Sequence, residues 1–401
     1  MQEITSFLDR HEQAMFDLLK ELVCLQSYSL NKAGVDAVGR VVEKSLSGLP
    51  LSCIRHSHKV YGDHLVFISP AAELARDTGK NTILITGHMD TVFPENSSFN
   101  WYRDEGDRIR GPGVIDMKGG LVVTIYAIKA LHAAGVLADL PLILLFNSDE
   151  EIGSPSSTPL IQELAASCCC GLVTECGGMR GEVVVGRRGK RGYHLQVHGR
   201  AGHAAFAGPD KASAIIGLAH TVLAMEALNN PKTGTVVNVG TVRGGIGPNT
   251  VPESAEAEID SRYTSEETGK ILQEKLEEIA ASTRVPGVSA DLDVTHDRPL
   301  MKDTPANLEL FHLFATVARE LNIPLQSECR SGVSDANTLA GEKLPVLDGL
   351  GPIGEHDHSD REYMVTKSLP ERTLLLARTL PEVAGRFCKY PPSRRAGTTK
   401  G

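Results

Sequence analysis

The sequence predicts an α/β protein: a mixed, mostly parallel sheet flanked by helices, interrupted by an inserted α+β segment with a four-stranded antiparallel sheet. Three observations carry that prediction. Short β-branched and apolar runs such as 82–85 and 142–146 lack alternation, as strands buried on both faces do. Helix-period segments lie between them, which is the rhythm of parallel strands joined by crossovers. From Val183 the texture changes to runs that alternate like half-exposed antiparallel strands, at 183–185, 193–198, 235–240 and 255–260.

The chain in order supports the assignment. Residues 1–27 place Ile4, Phe7, Leu8, Met15, Leu18, Leu19 and Leu22 at helical spacing, giving an amphipathic docking helix. That segment lacks the uninterrupted apolar core of a secretory signal. A second helix follows over 39–49, then strands over 51–55 and 64–69 and a polar connection over 70–81. The run 82–91 reads as a buried strand ending in Gly87-His-Met-Asp-Thr91. Residues 93–113, with the only tryptophan, Trp101, read as loop. A helix over 121–135 carries its apolar residues at Leu121, Ile125, Ile128 and Leu131, with Gly135 as its stop. Strands follow at 142–147 and 170–174.

Residues 188–297 read as the insert, with helices at 211–228 and 265–283 and a last strand at 291–295. Residues 1–187 and 298–401 then form the main domain. Its second part holds a helix at 305–321, a strand at 344–347, a loop at 351–363 and a helix at 369–384. The Pro/Arg/Lys/Gly tail from Pro391 is expected to be disordered.

Bulk properties narrow the function. A chain of 401 residues has room for two domains. The formal charge of −9 argues against a nucleic-acid surface. No apolar run approaches the roughly 20 residues that span a bilayer. Eight cysteines without a C-x-x-C pair suit reduced thiols of a cytoplasmic protein. The adjacent Cys168, Cys169 and Cys170 do not suit a zinc knuckle, because neighbouring cysteines cannot readily all face one ion.

Polar residues gather where strands end. His88 can ligate a metal through one ring nitrogen while Asp90 orients it, although a lone histidine at a strand end is more often a hydrogen-bonded surface residue. Asp116 lies in a glycine-rich turn at the mouth of a helix, where its plain role is an N-cap. Glu150 and Glu151 follow strand 142–147, and exposed acidic turns of that kind are common. Glu175 ends strand 170–174, and a late histidine completes the set. Five nitrogen and oxygen donors are what two divalent ions sharing a carboxylate need, and the absence of thiolate suits zinc, with manganese or cobalt as options. Two such ions activate water against a carbonyl. Glu150 is then left to act as general base.

The motifs Gly87-His-Met-Asp-Thr91, Gly111-Pro-Gly-Val-Ile-Asp116-Met-Lys-Gly-Gly120, Asp149-Glu-Glu-Ile-Gly153, Thr174-Glu-Cys-Gly-Gly178, Gly199-Arg-Ala-Gly-His203-Ala and His358-Ser-Asp-Arg-Glu-Tyr363 span nearly the whole chain. Together they resemble the zinc-dependent exopeptidase and amidohydrolase family of glutamate carboxypeptidase, acetylornithine deacetylase, succinyl-diaminopimelate desuccinylase and aminoacylase. The pattern is nearest glutamate carboxypeptidase. The resemblance implies His88, Asp116, Glu151, Glu175 and His358 as metal ligands, with Asp116 bridging, Asp90 orienting His88 and Glu150 as the base. It implies that the insert is a lid through which the protein forms a homodimer, and that His203 reaches the partner's active site to stabilise the oxyanion. Asn249, Arg262, Arg298 and the Gly332 loop match positions that hold substrate, with Arg298 clamping a terminal carboxylate. One departure is the pair His356 and His358 where the family has a glycine-rich run before one histidine. Ser359 and Glu362 keep the family spacing relative to His358. The expected substrate is a small molecule or short peptide with a free carboxylate. An N-acyl-amino-acid deacylase is the alternative, and a non-catalytic metal-binding relative stands further off.

Overall fold

Strand Thr82–His88 lies inside a six-stranded sheet whose order is Ser52–His56, His64–Ile68, Leu142–Asn147, Thr82–His88, Cys168–Val173, Val346–Leu347. The last four run parallel and the first two antiparallel to their neighbours, so the sheet is mixed and mostly parallel. Every residue of Thr82–His88 and Leu142–Asn147 is buried, which is why these runs show no alternation. The computed structural model describes residues 2–75, 79, 81–282 and 284–388. The chain divides into two units, one of Met1–Gly186, Lys302–Arg330 and Ser334–Gly401, the other of Arg187–Met301 with Ser331–Val333.

In the first unit, helix Gln2–Val23 buries Ile4, Leu8, Met15, Leu18, Leu19 and Leu22 and packs on Lys118–Ala133 and Ser368–Phe387. Helix Lys118–Ala133 is buried almost all round and starts beside the strand end at Thr174. A Cβ on Gly120 would stand 1.9 Å from the Thr174 carbonyl oxygen, so only glycine permits that approach. The helix stops at Gly135, with φ of 71°, where Val136 N–H reaches back to Leu131 O.

The second unit is a four-stranded antiparallel sheet, in the order Val236–Gly244, Ser254–Tyr263, Gly189–His198, Ser289–Arg298. Helices Ala214–Glu226 and Glu266–Ala281 bury Leu218, Met225, Leu272 and Leu276 against Tyr193, Leu195, Val197, Ala257 and Ile259. The sheet alternates as its sequence does, one face on these helices and the other more open.

Some elements differ from the sequence reading. Residues 183–185 lie in a wholly buried strand, Glu182–Arg187, paired with Gln326–Arg330, and are not half-exposed. The loop 93–113 contains Arg103–Asp104 and Arg108–Arg110, which join Gly354–Glu355 and Tyr363–Val365 in a small sheet. The connection 70–81 holds a short helix, Pro70–Ala75. Helices Thr158–Ala165 and Asp335–Gly341 are additional to the elements expected from the sequence, short segments set among Ser, Thr, Pro and Asp residues. The tail from Pro391 lies outside the described residues.

Candidate metal centre

The parallel strands deliver their polar ends to one edge. His88 pairs with Asn147, and Thr86 with Val173, so Glu175 and the 150–151 turn stand level with His88. That carboxyl-end edge is where open α/β sheets bind ligands. His88 Nε2 lies 3.1 Å from Asp116 Oδ1 and 3.4 Å from Glu175 Oε1. His358 Nε2 lies 3.0 Å from Asp116 Oδ2 and 3.1 Å from Glu151 Oε2. Asp116 therefore gives one carboxylate oxygen to each histidine.

The two glutamates separate because residues 150–152 form a 3₁₀ turn. Successive side chains in such a turn diverge by about 120°, not the near-180° of a strand. Glu151 faces His358 and Asp116, while Glu150 joins His88 and Glu175, with donor atoms all within 4.8 Å of one another. Asp90 fixes this arrangement from behind. His88 Nδ1 is 3.0 Å from the Asp90 carbonyl oxygen and 3.4 Å from Asp90 Oδ1, which leaves Nε2 toward the carboxylates. Asp90 also accepts the N–H groups of Glu150 and Glu151 and the Ser29 hydroxyl at 2.6 Å.

The electrostatics show a surplus of buried negative charge. Burial is the largest influence on His88 and works against its charge, yet Glu175, Asp116 and Asp90 push its pKa well above the usual value. Hydrogen bonds to Asp116 and Glu151 push His358 up to about 11. Burial, then the charge of Asp116, pushes Glu151 up to about 8, and burial also raises Glu175. Burial opposes ionisation of Asp116 too, but its bonds to His358 and His88 hold it below the carboxylate range. Carboxylates crowded in this way call for cations, and imidazole plus carboxylate suits zinc, manganese or cobalt. The donor set fits divalent metal.

His356 turns elsewhere, its ring centroid 5.9 Å from that of Tyr363. The plain N-cap role for Asp116 does not hold, since Met117 occupies the N-cap of helix Lys118–Ala133. Residues the sequence reading passed over also shape the site. Asp149 is buried and accepts N–H and O–H bonds from Ser156 and Ser157, pinning the turn. Asp357 brings an oxygen within 4.8 Å of donor atoms of Asp116 and His358. Glu362 had served only to set a spacing. Its burial could not be read from its exposed-looking Ser-Asp-Arg-Glu context.

In the second unit, exposed His203 pairs with Thr250, and Ala204 N–H donates to Asn249 O at 2.9 Å, so His203 and Asn249 are neighbours. Arg262 and Arg298 both pair with Lys190, from its two sides, which sets three cationic residues in one row across the sheet. Arg262 Nη1 donates to Ser331 O, and Arg187 Nη1 to Gly332 O, so the Gly332 loop lies beside that row.

A family model described as peptidase family M20/M25/M40 matches residues 84–382. Carboxypeptidase G2 of Pseudomonas sp. (strain RS-16) is 29% identical over 378 residues, covering 93% of this chain and 90% of that protein. Succinyl-diaminopimelate desuccinylase of Acidiphilium cryptum (strain JF-5) is 28% identical over 340 residues, covering 78% and 84%. Among solved structures, aminopeptidase PepT from Bacillus cereus matches with a TM-score of 0.72 at 23% identity, over 92% of this chain and 98% of that one. The M20 family metallo-carboxypeptidase Sso-CP2 from Sulfolobus solfataricus matches with 0.69 at 16% identity, over 92% and 99%. These last two likenesses concern the fold.

Proposed function

This chain belongs to peptidase family M20/M25/M40 and is a metal-dependent hydrolase, and on that premise we propose that it cleaves an amide bond next to a free carboxylate, as a glutamate-carboxypeptidase-like exopeptidase using two zinc ions. The observation that carries this reading is Asp116, with one oxygen on the His88 side and the other on the His358 side. His88, Asp116 and Glu175 would hold one ion, and His358, Asp116 and Glu151 the other, with cobalt or manganese as substitutes. When bound, such ions polarise the scissile carbonyl and lower the pKa of the attacking water. Glu150 takes the water's proton and returns it to the leaving amine. Asp90 keeps the His88 ring in register throughout, through its contacts at Nδ1.

The substrate's free carboxylate is assigned to Arg298 and the Gly332 loop, with Arg262 beside them, and Asn249 is assigned to another part of the substrate, next to His203. A guanidinium suits this role because its planar fork bonds both carboxylate oxygens. His203 would stabilise the oxyanion in a second copy of the chain. Dimerisation through the second unit is supported by its edge strand Val236–Gly244, unpaired on one side among the described residues, and by exposed Ile215, Leu223, Val242 and Ile246. Light scattering should then read a mass near twice the chain's 43.1 kDa. All eight cysteines are free, as a reducing cytoplasm favours. Among the described residues no helix is long and apolar enough to cross a membrane.

The test is a panel of glutamyl peptides, their C-terminal amides and N-acyl amino acids, assayed with added zinc. The proposal expects cleavage of the free-acid peptides and little of the amides. Hydrolysis confined to N-acyl amino acids would select a deacylase instead, the reading that the desuccinylase relative favours. Zinc binding with no hydrolysis of any amide would leave a non-catalytic relative.

A further inference from the structure

The loop that carries Asp116 turns three backbone donors, those of residues 113, 115 and 116, onto one side chain. Glu362 Oε2 accepts the Gly113 N–H at 3.0 Å, and Oε1 accepts those of Ile115 at 2.9 Å and Asp116 at 3.3 Å. Two other donors of the loop are satisfied within it, Val114 N–H by Gly111 O and Lys118 N–H by Gly113 O. The Glu362 carboxylate thus stands where water or a neighbouring strand would otherwise have to serve. It is wholly buried, with 0% exposure.

The same residue is tied to the late histidine by a short turn. Ser359 N–H and Oγ both donate to His356 O, and Glu362 N–H donates to Ser359 O, which wraps residues 356–362 around His358. Just beyond, Tyr363–Val365 pairs antiparallel with Arg108–Arg110, so Glu362 and Gly111 continue the two strands of one ladder. Asp116 and His358 lie 242 residues apart in sequence, yet they are joined in space through this ladder and the Glu362 carboxylate.

We infer that Glu362 is a positioning residue of the metal centre: by gathering the N–H groups of residues 113, 115 and 116 it fixes Asp116 relative to His358. The inference rests on the metal-dependent reading above. A carboxylate that orients a ligand without touching the ion changes metal affinity when removed, by about 10–100-fold in comparable sites. A carboxylate that merely fills the core changes folding stability and leaves affinity alone.

The experiment titrates the metal-free protein with zinc by calorimetry and records thermal melts with and without zinc, for wild type, Glu362→Gln and Glu362→Asp. The amide of Glu362→Gln turns an N–H₂ group on the loop donors. We expect zinc affinity to fall by about 10-fold or more, and the zinc-induced rise in Tm to shrink. Glu362→Asp, which keeps both acceptor oxygens on a shorter stem, should recover part of each. Equal loss of Tm with and without zinc, at unchanged affinity, overturns the positioning role. A wild-type protein with no zinc-induced rise overturns the metal-centre reading itself, which is a separate outcome. Should Glu362→Gln fail to fold, Glu362→Asp against wild type decides by the same two readings.

Discussion

Asp90 and Glu150 are joined through the backbone: Asp90 Oδ1 accepts the Glu150 N–H at 3.2 Å, and the same oxygen stands 3.4 Å from His88 Nδ1. One carboxylate thus sets the proposed base and a proposed ligand together. Replacing Asp90 by alanine should therefore damage both functions. We expect Asp90→Ala to weaken zinc binding by about 10–100-fold and to lower kcat even at saturating zinc. Ser29→Ala, which removes only the hydroxyl on Oδ2, should do much less. Full activity of Asp90→Ala at saturating zinc would remove Asp90 from the account.

Glu150 is expected to handle the proton without being needed to bind metal. Glu150→Ala should cut turnover by at least ~10²-fold, the low end for a lost general base, while zinc stoichiometry by elemental analysis stays at the wild-type value. Normal turnover in that variant would exclude Glu150 as the base.

Metal uptake should release protons. In the metal-free protein His358 is pushed up to about 11, and His88 is raised well above its ordinary value, so both imidazoles are charged at pH 7.5. Metal takes only the neutral ring. Glu151, pushed up to about 8, also holds most of a proton at that pH. Calorimetry in buffers of different ionisation enthalpy should therefore show about two to three protons leaving per fully loaded chain, and apparent affinity should rise with pH. The sign for the metal-free form is the reverse. A raised histidine adds stability that is complete below its unfolded value of about 6.5. For His358 that stability is lost as pH climbs through about 11. Binding heats independent of buffer would contradict this charge state.

Arg298 should act on substrate acids selectively. Arg298→Ala is expected to raise KM for free-acid peptides by about 10-fold or more, the scale of a lost charged hydrogen bond of about 1.5–3 kcal/mol. Peptide amides should be little affected. Arg298→Lys should rescue poorly, since an ammonium lacks the planar fork. Equal losses for acids and amides would point to a structural role for this buried residue.

Much of this was legible because buried parallel strands announce themselves as unbroken apolar runs, and because the polar residues that break them lie at their carboxyl ends. His88, Glu151 and Glu175 stood out as candidates because each is a polar residue at or just past the end of an apolar run, and it was their recurrence, not any one of them, that pointed to a site. Asp116 was harder, since a glycine turn before a helix suggests a cap; it entered as one of five candidate donors, and the family motif strengthened it. The supporting carboxylates were not legible. Asp149 and Glu362 sit among Ser, Asp and Arg residues that look solvated, and their burial depends on partners far away in sequence, as with Glu362 and Gly113. Glu182–Arg187 misled for a related reason. Its covering layer comes from distant segments, so three valines looked half-exposed when they are enclosed.

Crystals grown with zinc, with anomalous data collected at the zinc edge, test the central claim most directly. We expect two peaks sharing Asp116, one also contacting His88 and Glu175, the other His358 and Glu151. A single peak lying away from Asp116, or no peak in crystals of protein that still hydrolyses its substrate in excess chelator, would contradict the account.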